Sequence, residues 1–212
     1  MLSALPPAPF LYAIIDSAFL AGRSVGELVS GLASGGAGLL QLRAKRESDA
    51  RFLELAREAV AAARAARVPL VVNDRPDVAR AVGADGVHVG QGDLPPATVR
   101  ALLPRGSLIG VSTHDSIQLH AAVRMPVDYV AVGPVFPTRT HERPSPVVGL
   151  SFVAEARAAT RMPLVAIGGI TAENAASVIH AGADGIAVIS AILEATDVEG
   201  PTRALALAMR AS

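Results

Sequence analysis

Eight short runs of apolar, β-branched-rich residues recur along this chain, and stretches of helical period rich in Ala, Leu, Arg and Glu separate them. No other feature limits the fold so strongly. The runs cover residues 11–16, 38–44, 70–74, 86–89, 108–112, 129–135, 164–168 and 186–190. They are continuously apolar more often than strictly alternating, as strands of a parallel sheet covered by helices are. Among the helical stretches 51–66 is the clearest: Leu53, Ala56, Val60 and Ala63 share one face, and Arg51, Glu54 and Arg57 turn to water. Further helices are predicted to start near Val25, Pro76, Pro96, Ser116, Phe152, Ala172 and Pro201. Pro96 and Pro201 suit a first turn.

Eight strand–helix units in 212 residues match a (β/α)8 TIM barrel near its smallest size. An open doubly wound sheet shares that pattern, but two observations favour the barrel. The first run leads into Ser17-Ala18-Phe19 rather than a Gly-x-Gly-x-x-Gly turn. The chain also repeats itself. Arg67-Val68-Pro69-Leu70-Val71 recurs as Arg161-Met162-Pro163-Leu164-Val165, and Gly83-Ala84-Asp85-Gly86-Val87 as Gly182-Ala183-Asp184-Gly185-Ile186. The offset is about four units, or half a barrel; chance recurrence of common turns between helix and strand is the alternative. The expectation is one α/β domain over residues 1–212 with a short Pro-rich extension over 1–9.

Composition narrows the function. Residues are 51% hydrophobic, enough for one sizeable core. Nineteen basic and nineteen acidic residues cancel, and aromatics are only 3%, so nucleic acid is not an expected partner. The absence of cysteine removes disulfides and thiolate metal sites. The first nine residues lack a basic start, and apolar runs of about 18 residues are missing, so neither a signal peptide nor a membrane span is expected. The expected location is the cytoplasm.

Chemistry sits where the apolar runs end. In a barrel these C-terminal strand tips form the active face. Asp74 and Asp93 follow the third and fourth runs, which would be neighbours. Two carboxylates without His or Cys suit a hard cation such as Mg2+ shared with substrate phosphates; each could instead cap the helix that follows. Gln41, Arg43 and Lys45 alternate along the second run and share one face, so inward cations there call for an anion, although Lys45 could instead be a solvated loop charge. Gln41 serves either interior hydrogen bonds or the reading of a heterocycle. Gly168-Gly169 and Ile189-Ser190 end the last two runs, the common phosphate site of such barrels, where backbone N–H groups bind the anion; ordinary turn glycines are the alternative. The loop after the sixth run carries Thr138, Arg139, Thr140, His141 and Arg143 and has the length and polarity of a substrate lid. Ser112 with a nearby His could suggest a hydrolase, but Gly-x-Ser-x-Gly is absent. His88 lies inside the fourth run, as a core group or one that supports the site.

These motifs, taken in order, resemble the thiamine-phosphate synthase family. They are Gln41-Leu42-Arg43-Ala44-Lys45, Asn73-Asp74, His88-Val89-Gly90-Gln91-Gly92-Asp93, Gly110-Val111-Ser112-Thr113-His114, Gly133 through Thr140, Ile167-Gly168-Gly169-Ile170 and Ile189-Ser190. The resemblance implies a small (β/α)8 barrel that joins hydroxymethylpyrimidine diphosphate to a thiazole phosphate or its carboxylated form, releasing pyrophosphate with Mg2+. It implies that Gln41, Arg43, Lys45 and Asn73 bind the pyrimidine diphosphate, that Asp74 and Asp93 hold Mg2+, and that Ser112 contacts the pyrimidine. Thr138, Thr140, Gly168, Gly169, Ile189 and Ser190 would bind the thiazole phosphate, and Arg43, Lys45, Ser112 and His141 would carry the catalytic roles. One position departs: the family usually has Lys directly after Thr-x-Thr, and this chain has His141. A sister group, thiazole tautomerase, tends to place a catalytic His where this chain has Pro134. A non-catalytic regulator that binds phosphate ligands would keep the glycine-serine cradle without needing the aspartate pair. The expected assembly, if any, is a homodimer.

Overall fold

A computed structural model describes residues 5–140 and 146–210. Its eight strands close into one parallel barrel in chain order, β1 through β8. They are β1 (Phe10–Asp16), β2 (Leu39–Arg43), β3 (Leu70–Asn73), β4 (Gly86–Val89), β5 (Leu108–Thr113), β6 (Tyr129–Val132), β7 (Leu164–Ile167) and β8 (Gly185–Val188). The helices are α1 (Val25–Ser34), α2 (Asp49–Ala66), α3 (Pro76–Val82), α4 (Pro96–Leu102), α5 (Ser116–Ala122), α6 (Gly149–Ala159), α7 (Ala175–His180), α8 (Ser190–Leu193) and α9 (Glu199–Ala208).

The two-residue period of a strand explains the two cores. On β1, Leu11, Ala13 and Ile15 face the helices, while Phe10, Tyr12 and Ile14 point inside the barrel. The interior cluster adds Leu39, Val71, Leu108, Tyr129, Ala131, Val165 and Ala187, and Leu5 of the Pro-rich extension packs against it. Gly110 is required by this interior. A Cβ there would sit 2.0 Å from Cζ of Tyr129, so the small residue on β5 makes room for the large one on β6.

Strand starts are fastened by a recurring aspartate. Asp85, before β4, accepts from the Leu70 N–H at 3.0 Å. Asp184, before β8, accepts from the Leu164 N–H at 2.8 Å. The two Gly-Ala-Asp-Gly repeats thus do one job in each half of the barrel. Asp128 does it for Ile109 at 2.7 Å without the glycine frame.

The structure corrects several expected boundaries. β3 ends before Asp74, whose backbone is left-handed at φ 62. β6 stops at Val132 because Gly133-Pro134 follows and proline has no N–H for the ladder. β7 ends where Gly168 turns to φ 102. Ile189 leaves the strand, and Ser190 opens α8 rather than closing β8. α6, α7 and α9 begin at Gly149, Ala175 and Glu199 rather than near Phe152, Ala172 and Pro201. On α2 the buried face is Phe52, Leu55, Ala56, Ala59, Val60 and Ala63. Leu53 is only partly buried against the core, so the face is rotated slightly from the expected one. None of the described helices is long and apolar enough to cross a membrane.

Candidate active site

A cavity of about 130 Å³ opens at the C-terminal mouth of the barrel. Gln41, Arg43, Lys45, Asn73, Asp74, His88, Ser112, Thr138, Thr140, Gly168 and Ile189 all line it. A second cavity adjoins it, lined by Thr138, Thr140, Gly168, Gly169, Ile189 and Ser190 among others. The two threonines stand in both walls, and their hydroxyls lie 3.0 Å apart. The residues expected to bind two different ligands therefore meet in one mouth. His141 and Arg143 lie outside the described residues.

Neither aspartate caps a helix. α3 starts behind Arg75 and α4 behind Pro95, and neither N-terminus has a side-chain cap. Asp74 instead faces Lys45 Nζ at 3.3 Å and shares a hydrogen bond with Asp93. Burial, then the bond to Asp93, push the Asp74 carboxyl up to about 6. A second acid beside a half-buried carboxyl disfavours its charged form, and Lys45 offsets this only in part. Asp93 is exposed and also accepts from the Gly90 N–H at 2.7 Å, which shapes the turn that carries it. Gln91 fastens the same turn to β5 by donating to the Ser112 carbonyl at 2.6 Å. Among the described residues no group of three or more His, Cys, Asp or Glu could hold a metal. The pair fits a hard ion that draws the rest of its shell from phosphate and water, as Mg2+ does.

Arg43 and Lys45 both reach the mouth from the exit of β2. Arg43 is paired with Asp16, a buried carboxylate at the tip of β1. Sequence reasoning did not place Asp16 in the site, although it is a polar strand tip like the others. Arg43, Lys45, Arg46 and Arg139 line an adjoining cleft together with Asp16 and Glu47, so cationic and anionic groups are interleaved around the mouth.

A chain of hydrogen bonds crosses the floor of the cavity. Gln41 Nε2 donates to the Tyr12 hydroxyl at 2.5 Å. The hydroxyls of Tyr12 and Tyr129 are 2.9 Å apart. Tyr129 meets His88 Nδ1 at 3.0 Å, and His88 Nε2 meets Ser112 Oγ at 2.8 Å. These are the only two tyrosines in the sequence. Their positions in apolar strands gave no signal, because tyrosine fits the apolar pattern. Burial holds His88 at about 4, so it is neutral at ordinary pH. That removes the hydrolase reading. Ser112 faces a histidine that is a poor base and whose other nitrogen meets a phenol rather than a carboxylate.

The second cavity is built from turns. Gly168 has φ 102, and a Cβ on it would lie 2.6 Å from Cα of Pro134. Phe136 N–H donates to the Gly168 carbonyl at 3.0 Å, and Asn174 Nδ2 donates to the Gly169 carbonyl at 3.0 Å. On the other side Arg23 donates to the carbonyls of Leu193 and Ala195, each at 2.7 Å, and clamps the end of α8 whose first residue is Ser190. Neither Asn174 nor Arg23 was foreseen, since their work is to hold backbone.

Residues 11–192 match the family described as thiamine monophosphate synthase. The thiamine-phosphate synthase of Syntrophomonas wolfei is 44% identical over 195 residues, covering 92% of this chain and 93% of that protein. That of Chloroflexus aurantiacus is 45% identical over 195 residues, 92% and 90% of the two chains. The solved thiamine phosphate pyrophosphorylase from Pyrococcus furiosus is 34% identical, with a TM-score of 0.86 and 95% of each chain covered.

Proposed function

We infer the chemistry of the mouth from one premise: this chain belongs to the thiamine monophosphate synthase family. Its activity is that of a thiamine-phosphate synthase, a transferase. The substrates we assign to it are hydroxymethylpyrimidine diphosphate and a thiazole phosphate, which give thiamine phosphate and pyrophosphate. The observation that supports this most is that the cavity lined by Arg43, Lys45 and Asp74 adjoins the one lined by Gly169 and Ser190, with Thr138 and Thr140 lining both.

In this reading Gln41 and Ser112 hold the pyrimidine ring, and Arg43, Lys45 and Asn73 hold its diphosphate. Asp74 and Asp93 would hold Mg2+, which supplies charge neutralisation for the leaving diphosphate when bound. Thr138, Thr140, Gly168, Gly169, Ile189 and Ser190 hold the phosphate of the thiazole. The bond from the pyrimidine methylene to oxygen breaks, and its electron pair leaves with pyrophosphate. Arg43 and Lys45 stabilise the charge that develops there. The aminopyrimidine carries the positive charge at the methylene until the thiazole nitrogen lone pair closes the new C–N bond. No protein nucleophile takes part. Fixing both ligands in line supplies much of the advantage. His141 is assigned a role at the diphosphate, where its charge would depend on pH. A tautomerase would need a proton carrier at Pro134, which lines the cavity and has none to offer.

Pyrophosphate release, followed with a coupled assay, tests the reading. Release should need both substrates and Mg2+. Release from the pyrimidine diphosphate alone at the same rate would make the chain a hydrolase, and no release at all would leave the reading without support.

A further inference from the structure

We propose that the buried chain Gln41–Tyr12–Tyr129–His88–Ser112 is a polarity relay that makes the two ends of the pyrimidine pocket present opposite hydrogen-bonding senses, an acceptor oxygen at Gln41 and a donor hydroxyl at Ser112. The proposal rests on the reading above that these two residues hold the pyrimidine. Tyr12, Tyr129 and His88 act through them and are positioning residues.

A hydroxyl has one proton to give, and a neutral imidazole has one donor and one acceptor nitrogen. The Gln41 amide donates to the Tyr12 oxygen at 2.5 Å. The Tyr12 proton then goes to Tyr129 at 2.9 Å, because no other partner of that hydroxyl is seen among the described residues. The Tyr129 proton in turn goes to His88 Nδ1 at 3.0 Å. A histidine that accepts at Nδ1 carries its proton at Nε2, which donates to Ser112 Oγ at 2.8 Å. The Ser112 proton is left to point into the cavity, and the Gln41 carbonyl oxygen is the atom its amide leaves for a ligand.

No member can reverse alone. Turning the Gln41 amide over would place its carbonyl against Tyr12, and every proton along the line would have to move, including the histidine tautomer. The chain lies in the barrel interior, where an unmatched polar group is costly. Burial also pushes both phenols well above their usual titration range, so no proton leaves the line by ionisation. The pocket is therefore set for a ring that offers an amine donor at one end and a bare ring nitrogen at the other. An oxo analogue puts an acceptor oxygen where the amine stood and meets the Gln41 oxygen with a clash of sense instead of a hydrogen bond.

Tyr129→Phe cuts the line at its middle. Tyr129 is fully buried and forms no part of the cavity wall. Calorimetry with the amino-hydroxymethylpyrimidine alcohol and its 4-oxo analogue should show a preference of about tenfold or more for the amine in the wild type, the scale of one mismatched hydrogen bond. In Tyr129→Phe that preference should shrink to about threefold or less, with thiazole phosphate affinity unchanged within about twofold. Nitrogen NMR of wild-type His88 gives a readout that does not depend on the variant folding. A single tautomer protonated at Nε2 supports the relay; a tautomer protonated at Nδ1, or a mixture, overturns it. Full retention of amine preference in Tyr129→Phe overturns it as well. If the wild type releases no pyrophosphate yet its amine preference depends on Tyr129, the relay stands and the synthase reading falls. If it releases pyrophosphate and the preference ignores Tyr129, only the relay falls.

Discussion

Asp74 is held in a left-handed backbone at φ 62 and beside a second acid, two conditions a non-glycine residue meets only where something compensates. Its pKa is 3.8 in an unfolded reference and about 6 in the fold. The folded chain therefore keeps a proton that the unfolded chain has lost, and stability falls as pH rises across that interval. Above it the penalty is complete, and a bound cation relieves it. Asn tolerates the left-handed region, so in EDTA Asp74→Asn should melt at or above the wild type at about pH 8 and match it at about pH 4. Turnover should drop by about tenfold or more. A lower melting temperature at the higher pH with activity intact would refute the cation site. His88 has the opposite sign. Its folded pKa is about 4 against 6.5 unfolded, so stability is complete above 6.5 and is lost as pH falls towards 4, by on the order of 3 kcal/mol. Denaturant midpoints across that range should flatten in His88→Gln; an equally steep profile would assign the acid sensitivity to another group.

Elements were legible in this chain to the extent that burial drives them. All eight strands coincide with apolar runs, because each is covered on both faces. Their ends were not legible, since they are set by backbone turns: the left-handed Asp74 and Gly168, the proline after Gly133, and the departure of Ile189 into α8. Those ends are the site. The residues expected at the mouth came from side-chain chemistry at the strand tips and from the family resemblance, whereas Asp16, Tyr12, Tyr129 and Arg23 hold partners that sequence spacing does not bring together. Gly168→Ala tests how tightly the end of β7 is made. The new Cβ would sit 2.6 Å from Pro134 and in a strained backbone. The KM for thiazole phosphate should rise about tenfold or more, with a stability loss of about 1–2 kcal/mol. Gly200→Ala, whose Cβ would meet only Asp197 at 3.5 Å, should change neither. If both variants behave alike in steady-state kinetics, the close approach at Gly168 is not what shapes the cradle.

Across the whole molecule, the two halves of the barrel set different residues on one backbone frame. The repeated segments that begin at Arg67 and Arg161 align Asp74 with Gly168, and these tips share a left-handed turn, at φ 62 and 102. At the other end of the barrel, Asp85 and Asp184 fasten β3 and β7 by the same bond. The shared frame was legible as a sequence repeat. The divergence at the tips was legible only as residue type, a carboxylate in one half and a glycine in the other. In the proposed reading the half with Asp74 would handle the diphosphate and its cation, and the half with Gly168 and Ser190 the second phosphate. Ser190 lines the cradle but not the cavity that holds Asp74. Losses from Asp74→Asn and Ser190→Ala should therefore add in free energy to within about 0.5 kcal/mol, as expected for sites without shared partners. Ser190→Ala alone should weaken thiazole phosphate by about 1.5–3 kcal/mol, the worth of one hydroxyl to a charged group. Lys45→Ala and Asp74→Asn should not add, because the two side chains are an ion pair at 3.3 Å and removing one already spoils the other. A full cycle of kcat/KM values for both pairs decides it. Strong coupling between Asp74 and Ser190 would mean that the mouth works as one unit rather than as two half-barrels meeting at Thr138 and Thr140.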